Sequence, residues 1–159
     1  MATYSHYNPS NYNHFITPNY VWDDIKKYIP RDKVIWEAFY CNGYSGDYLR
    51  NLGFDVIHEE NVDFFTHNKG DIVVSNPPFE TKKLIIERLV YLDKPFILLV
   101  PVSTICYQYS KILKENLQII IPKKRISFDK FNINTNEIIP NKSSATFDCV
   151  FICYKMNLE

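Results

Sequence analysis

The sequence has few glycines and no long hydrophobic run, and each shortage excludes a class of protein. Its 159 residues include four glycines, none of them in a Gly-Lys-Ser/Thr phosphate loop or a Gly-x-Ser-x-Gly elbow. The sequence therefore predicts neither a nucleoside triphosphatase nor a Ser/His/Asp hydrolase. The longest apolar run, residues 95–102, is too short to span a bilayer. The first fifteen residues lack the basic and then apolar order of a signal peptide, so we expect an intracellular, soluble protein.

The chain also lacks net charge and paired cysteine motifs. Its 18 basic residues are balanced by 18 acidic ones, so nucleic-acid binding would have to use a local patch or a partner chain. The absence of a Cys-x-x-Cys pair predicts buried free thiols in a reducing compartment rather than a zinc site. The cysteines are Cys41, Cys106, Cys149 and Cys153. The abundance of Asn, Ile, Lys and Tyr favours an AT-rich source such as a virus, phage or parasite, with the cytoplasm or a viral factory as location.

Length and composition predict one compact domain over residues 1–159. Hydrophobic residues make up 46% of the chain, which is enough for a normal core. Aromatic residues reach 16%, and they either fill that core or provide stacking surfaces. Residues 1–14 show no apolar periodicity, so we expect them to form an irregular N-terminal arm.

Predicted strands and helices alternate along most of the chain. The apolar patterns predict strands over residues 34–39, 54–58, 71–75, 95–100, 117–121, 125–128 and 146–155. They predict helices over residues 18–29, 47–52, 81–92 and 103–116. This order predicts an α/β protein with an open, mostly parallel sheet. The last two strands lack a helix between them, which predicts an antiparallel edge hairpin with residues 131–144 as a surface loop.

The sharpest chemical signal is Asn76-Pro77-Pro78-Phe79, which directly follows the apolar strand predicted at residues 71–75. Open α/β sheets bind ligands at the carboxyl ends of their strands. An aromatic amine is a poor nucleophile because its lone pair is delocalised into the ring. The Asn76 amide oxygen and the Pro77 carbonyl could each accept one of its N–H groups and free that lone pair. The prolines hold both acceptors in place, and Phe79 offers a flat face for stacking a base.

This motif resembles the Asn/Asp-Pro-Pro-Tyr/Phe signature of class I S-adenosylmethionine-dependent amino-methyltransferases, above all the DNA adenine-N6 methyltransferases. Residues 36–46, with Glu37 and Phe39 before a loop that contains Gly43 and Gly46, resemble the first motif of that family. The likeness covers about residues 15–128 and implies a Rossmann-like methyltransferase fold. The loop departs from the usual Phe-x-Gly-x-Gly, and Tyr44 either lines or narrows the pocket.

The resemblance also implies a set of residues that bind S-adenosyl-L-methionine. The acid after the second strand would bind the ribose; Glu59 is favoured over Glu60, and a solvated acidic pair is the alternative. Asp63-Phe64 would bind the adenine of the cofactor, unless Asp63 caps a helix. Thr17-Pro18 would contact the methionine end, unless Thr17 is a plain helix cap with Pro18 as the first helical residue. The full implied set is Thr17, Pro18, Glu37, Phe39, Gly43, Gly46, Glu59, Asp63, Phe64 and Asn76.

The implied acceptor is nucleic acid, DNA being favoured and RNA an alternative. Besides Phe79, the substrate-binding candidates are Lys123, Lys124, Arg125 and Phe128. The basic run could bind phosphates or could be a solvated surface. Target recognition has little room, so the enzyme has loose preference, uses single strands, or relies on a second copy or a partner subunit. A base inside a duplex would have to be flipped out.

Three functions remain open at this point. The first is an adenine-N6 methyltransferase that acts on DNA. The second is a related amino-methyltransferase that acts on RNA adenine or guanine, or on a protein glutamine. The third is a catalytically silent subunit that keeps the methyltransferase fold for binding. None of them calls for a metal, because methyl transfer from a sulfonium needs none, and none calls for a membrane.

Overall fold

The computed structural model describes residues 13–106, 108–113, 116–132, 134–140 and 148–159. The strands are β1 (Asn13–Ile16), β2 (Val34–Trp36), β3 (Asp55–Ile57), β4 (Ile72–Ser75), β5 (Phe96–Pro101), β6 (Leu117–Ile120), β7 (Asp129–Asn132), β8 (Glu137–Ile139) and β9 (Cys149–Tyr154). A large sheet has the order β3-β2-β4-β5-β9-β6, and a small sheet has the order β1-β7-β8.

The described residues form four α-helices between these strands. They are α1 (Asn19–Ile25), α2 (Tyr44–Asn51), α3 (Lys82–Tyr91) and α4 (Gln108–Leu113). Short 3-10 turns adjoin three of them, at Lys26–Tyr28 after α1, at Phe79–Thr81 before α3 and at Val102–Ile105 before α4. No helix within these segments is long and apolar enough to cross a membrane.

The parallel part of the large sheet has a switch point at its centre, and we call the region at the carboxyl ends of β2 and β4 the central crevice. Strand β2 pairs in parallel with β3 on one side and with β4 on the other. The chain runs from β2 to β3 and then crosses to β4, so the connections leave β2 and β4 in opposite directions. In open α/β sheets this switch point, at the carboxyl ends of the strands, is where ligands bind.

The core consists of two apolar layers, one on each face of the large sheet. Side chains alternate between the faces, so that Ile35 and Val74 belong to one layer while Trp36 and Val73 belong to the other. Strand β5 is buried on both faces, as its continuous apolar sequence predicts. The α/β class with a mostly parallel, Rossmann-like sheet is therefore confirmed.

The antiparallel edge is confirmed, but the predicted hairpin partner is wrong. Strand β9 runs antiparallel between β5 and β6, and residues 125–128 form no strand. The prediction of a loop over residues 131–144 is also wrong in part. Strands β7 and β8 pair there as a hairpin, and β7 pairs with β1. Strand β1 thus includes residues 13 and 14 of the predicted irregular arm; residues 1–12 and 141–147 lie outside the described residues.

The starts of α1 and α2 differ from the prediction, and helix α4 begins at Gln108 rather than at residue 103. Pro18, with extended backbone angles, is the N-cap residue of α1, so Thr17 is not the cap and Pro18 is not the first helical residue. Helix α2 begins at Tyr44 rather than at residue 47, because Gly43 adopts a left-handed conformation that starts the helix earlier. Gly46 is therefore a helical residue and not a loop residue.

Candidate active site

The carboxyl ends of β2 and β4 bring two polar side chains to the central crevice. Glu37 directly follows β2, and Asn76 directly follows β4. The two strands are neighbours in the sheet, with Trp36 opposite Val73. The motifs that the sequence singles out at residues 36–46 and 76–79 therefore meet at the switch point.

Glu37 is a buried acid that is held by hydrogen bonds from β4 and from the loop after β2. Its side chain is 2% exposed, and Oε1 accepts hydrogen bonds from the Ser75 hydroxyl and from the backbone N–H of Phe39, the latter at 3.2 Å. Burial raises the pKa of Glu37 to about 8, although both hydrogen bonds act to lower the pKa. A cationic ligand in the crevice would favour the ionised carboxylate.

The Asn76 amide has one partner and one orphaned atom. Its Nδ2 donates to Oγ1 of Thr17 at 3.0 Å. Its Oδ1 is buried and has no hydrogen-bond partner anywhere in the described chain. A buried amide oxygen without a partner is rare in proteins because its desolvation is costly. A ligand that donates an N–H or O–H would satisfy it.

The two prolines and Phe79 form a rigid turn from β4 into α3. Pro77 is buried, and the Pro78 carbonyl accepts the backbone N–H of Thr81 at 3.3 Å. Phe79 begins the short 3-10 turn, and its half-buried ring packs against the core layer that contains Val21. The backbone at this strand end is thus fixed by the proline rings and by the turn.

The glycine loop after β2 has strained backbone and a second orphaned atom. Cys41 and Gly43 both have positive φ, 52° and 87°. Asn42 accepts the backbone N–H of Tyr44 with Oδ1 at 3.2 Å, while its buried Nδ2 has no partner within the described segments. Tyr44 points outward and is 51% exposed. The loop therefore keeps a buried donor without a partner in the described chain, and the exposed Tyr44 side chain does not cover it.

Gly46 serves packing inside the protein. A Cβ built on Gly46 would overlap the ring of His58, which is stacked on Tyr40 with 4.5 Å between centroids. His58 is buried, its Nε2 lacks a partner in the described chain, and burial lowers its pKa. Sequence reasoning missed His58 and Ser75. Both are polar residues at the carboxyl ends of apolar strands, and that position could have found them.

The candidates after β3 are less buried. Glu59 is exposed and accepts a salt bridge from Lys69 at 2.6 Å, and Glu60 is exposed as well. Asp63 accepts the backbone N–H of Phe65 at 2.8 Å in a turn that leads into no helix. The alternative of a helix cap at Asp63 is therefore wrong. The ribose and adenine roles of these acids stay predictions.

Phe64 lies deeper than its predicted contact with the cofactor adenine requires. Its ring is 4% exposed and packs between Trp36 and Phe39, with centroid distances of 5.5 and 5.0 Å. Phe39 and Phe65 are half-buried at the edge of this aromatic group. We therefore expect Phe64 to support the pocket wall from behind.

The side chains of the basic run, residues 123–125, contact other residues of the same chain. Lys123 forms a salt bridge with Asp24 at 3.8 Å, and Arg125 forms one with Asp148 at 2.9 Å. The Lys124 ammonium lies 4.0 Å from the centre of the Tyr20 ring. Phe128, 2% exposed, packs edge-on against Phe15 inside the core and cannot stack a base in this position.

The described cysteines carry no cluster. All four thiols are free, and burial raises the pKa of Cys41, Cys149 and Cys153 to about 12. Cys106 is exposed, so the prediction of buried thiols is wrong for this residue. Within the same described ranges, no group of three His, Cys, Asp or Glu side chains could hold a metal ion.

The sheet order, the parallel strands and the antiparallel β9 match the Rossmann-like methyltransferase fold that the resemblance in the motifs implies. No protein-family model matches the sequence. Type II methyltransferase M.EcoRI from Escherichia coli is 29% identical over 85 residues, which are 53% of this chain and 24% of that protein. A crystal structure of a dimethyladenosine transferase from Plasmodium falciparum has a TM-score of 0.51 at 9% identity. This structural match covers 89% of this chain and 62% of the Plasmodium chain. This chain thus spans less than two thirds of either protein.

Proposed function

We propose that the chain transfers a methyl group from S-adenosyl-L-methionine to the N6 amine of adenine in nucleic acid, with DNA as the favoured acceptor. The observation that carries this proposal is Oδ1 of Asn76. This oxygen is a buried acceptor without a partner among the described residues. Asn76 itself begins the Asn-Pro-Pro-Phe turn and lies at the switch point of the sheet.

Asn76 and Pro77 would activate the amine without a strong base. Oδ1 of Asn76 would accept one amine N–H, and the Pro77 carbonyl would accept the other. The two hydrogen bonds bend the N–H groups out of the ring plane, so the nitrogen becomes more tetrahedral. Its lone pair is then available for attack. Because the turn fixes the acceptors before the substrate arrives, little reorganisation is needed during the reaction. The methylated amine is acidic enough to lose its proton to water.

Phe79 would hold the target base by stacking. Aromatic rings stack any base, and such a contact is worth about 1–3 kcal/mol. Phe79 is half-buried, and its ring packs on the core layer that contains Val21. A base in a duplex would reach this position only by being flipped out of the stack.

The residues at the end of β2 fit the cofactor. When bound, S-adenosyl-L-methionine supplies an electrophilic methyl group on a positively charged sulfonium. The buried carboxyl of Glu37 would accept hydrogen bonds from its amino group, and the orphaned Nδ2 of Asn42 offers a donor close by. Left-handed Gly43 lets the loop backbone approach a ligand closely. Glu59 would exchange Lys69 for the ribose hydroxyls.

The likeness to two transferases supports the same reading. One is named as a type II methyltransferase, and the name of the other refers to dimethyladenosine. We also propose that a second copy or a partner subunit supplies recognition of the target. DNA is favoured over RNA on the Asn-Pro-Pro-Phe sequence.

The first test is calorimetric titration of the chain with S-adenosyl-L-methionine and with its demethylated product. We expect micromolar binding that is lost in Glu59→Ala. Glu60→Ala is the matched control, because Glu60 is the exposed neighbouring acid, and we expect it to bind like the wild type. No binding by a well-folded chain would contradict the proposal and would favour a silent binding subunit.

A further inference from the structure

We propose that Thr17 is a positioning residue for amine activation. Its hydroxyl holds the Asn76 side chain by the amide nitrogen and so leaves the amide oxygen for the substrate amine. The inference rests on the proposed function of Asn76. It gives Thr17 a role in turnover, whereas the motif likeness implies a contact with the cofactor.

The geometry of the Asn76 amide carries the inference. An amide presents an acceptor oxygen and a donor nitrogen of almost equal shape, so rotation about its terminal bond exchanges the two. Activation needs the oxygen in the crevice, because a nitrogen there would set its own N–H groups against those of the amine. The contact from Nδ2 to Oγ1 of Thr17, at 3.0 Å, ties up the nitrogen and leaves Oδ1 buried without a partner in the described chain.

Thr17 is itself held firmly. It is 4% exposed and directly follows β1, whose Ile16 pairs with Asp129 of β7. Pro18 then fixes the chain direction into α1, where the Tyr20 hydroxyl accepts the backbone N–H of Ser127 at 3.2 Å. The small sheet and α1 therefore hold the Thr17 hydroxyl in place before any substrate binds, as preorganised catalysis requires.

The hydrogen bond between Thr17 and Asn76 connects two distant parts of the chain. Residues 17 and 76 are 59 positions apart in sequence, so the hydrogen bond joins the first helix start to the reactive turn. A valine at position 17 would keep the shape of threonine but offer no acceptor. Nδ2 would lose its partner, and the Asn76 side chain would lose the hydrogen bond that holds it in place.

The experiment compares Thr17→Val and Thr17→Ser with the wild type in methyl transfer to adenine-containing oligonucleotides at saturating cofactor. Thr104→Val is the matched control, because Thr104 is an equally buried threonine whose hydroxyl has no partner in the described segments. Cofactor affinity is measured by calorimetry for each variant. In parallel, the side-chain amide of Asn76 is followed by ¹⁵N NMR, its resonance being assigned by its loss in Asn76→Asp.

We expect Thr17→Val to lower kcat about tenfold while cofactor Kd changes less than about twofold. Thr17→Ser should restore most of kcat, and Thr104→Val should match the wild type. Unchanged kcat in Thr17→Val would overturn the inference, as would a loss confined to cofactor affinity or a failure of serine to rescue. If the wild type transfers no methyl group, the proposed function fails separately. The NMR signal then decides: a shift of the Asn76 amide in Thr17→Val but not in Thr17→Ser supports the contact, and no shift overturns it.

Discussion

The polar groups of the central crevice and those of the basic run differ in whether they have partners within the protein. In the crevice, Asn42 and Asn76 each keep a buried amide atom without a partner in the described chain. In the basic run, Lys123 and Arg125 are each paired with an aspartate of the same protein, and Lys124 lies over a tyrosine ring. Both regions attract attention in the sequence, yet only the crevice is left unsatisfied.

The difference teaches how to separate a ligand site from a structural one. A buried polar atom without a partner costs stability, and at the carboxyl ends of parallel strands, where ligands bind, a ligand can supply the missing hydrogen bond. Surface ion pairs such as Arg125–Asp148 contribute little stability and need no ligand. We therefore expect substitutions in the crevice to change chemistry and substitutions in the basic run to change little.

The largest expected effect is that of Asn76→Ala. Removing the acceptor should lower turnover by about 10²–10³-fold, which is the usual cost of deleting one preorganised hydrogen-bonding group. Cofactor affinity should change by less than about twofold, since the acceptor faces the amine. Steady-state methyl transfer and calorimetry measure the two quantities. Asn51→Ala, at an exposed position on α2, is the control, and full activity of Asn76→Ala would refute the activation role.

The next effect is that of Glu37→Gln on cofactor binding. Glutamine keeps the acceptor for Ser75 and Phe39 but removes the negative charge that would meet the cofactor amino group. A hydrogen bond to a charged group is worth about 1.5–3 kcal/mol, so we expect Kd to rise about tenfold to a hundredfold. Equal Kd values for Glu37→Gln and the wild type would remove Glu37 from the cofactor site.

The same variant gives a pH test on the unliganded chain. The pKa of Glu37 is raised in the folded state to about 8, so the folded chain holds this proton more tightly than the unfolded chain does. Its contribution to the free energy of unfolding is therefore full below about pH 4.5 and is lost as the pH rises to about 8. Glu37→Gln lacks this loss, and denaturant titration should show it gaining stability relative to the wild type across that window. If the difference in stability between Glu37→Gln and the wild type does not change with pH, Glu37 is not desolvated. The control is Glu80→Gln, at an exposed position.

A smaller effect is expected at Phe79. Phe79→Leu should lower turnover about tenfold through lost stacking, whereas Phe79→Tyr keeps a flat ring and should stay near the wild type. Because the ring also packs on the core, thermal melting of both variants checks that the fold is retained. A leucine variant as active as the tyrosine variant would show that Phe79 fills space and does not stack a base.

The smallest effect is expected for the triple variant Lys123→Ala, Lys124→Ala and Arg125→Ala. Each phosphate contact contributes about 0.9 to the slope of log affinity against log salt. Since these cations already have partners within the protein, we expect the slope to change by less than about one. A fall of two or more in this slope would show that the basic run contacts phosphates, and the basic run would then be a binding site like the crevice.

The site motifs could be predicted from sequence because their chemistry is local. Asn76-Pro77-Pro78-Phe79 carries its acceptors and its rigidity in four consecutive residues, and the apolar strand before it places the motif at a sheet edge. The parallel sheet followed from the alternation of apolar strands and amphipathic helices. Glu37 at the end of β2 was within reach for the same reason.

The rest depended on contacts between distant residues. Thr17 reads as a helix cap in sequence, and only folding shows that it bonds Asn76 instead. Gly46 reads as a loop glycine, but the ring of His58 explains it. Residues of β7 and β8 read as a loop because β7 forms by pairing with β1 and β8 by pairing with β7, and no local periodicity reveals these pairings.

The most direct test of the central claim is transfer of isotopically labelled methyl from S-adenosyl-L-methionine to matched oligonucleotides, DNA and RNA, single-stranded and duplex, followed by mass spectrometry of the nucleosides. Wild type and Asn76→Ala are compared at saturating cofactor. We expect the wild type to form labelled N6-methyladenine, and we expect Asn76→Ala to form about 10²–10³-fold less of it. Label at another atom, or equal label with both proteins, would contradict the central claim.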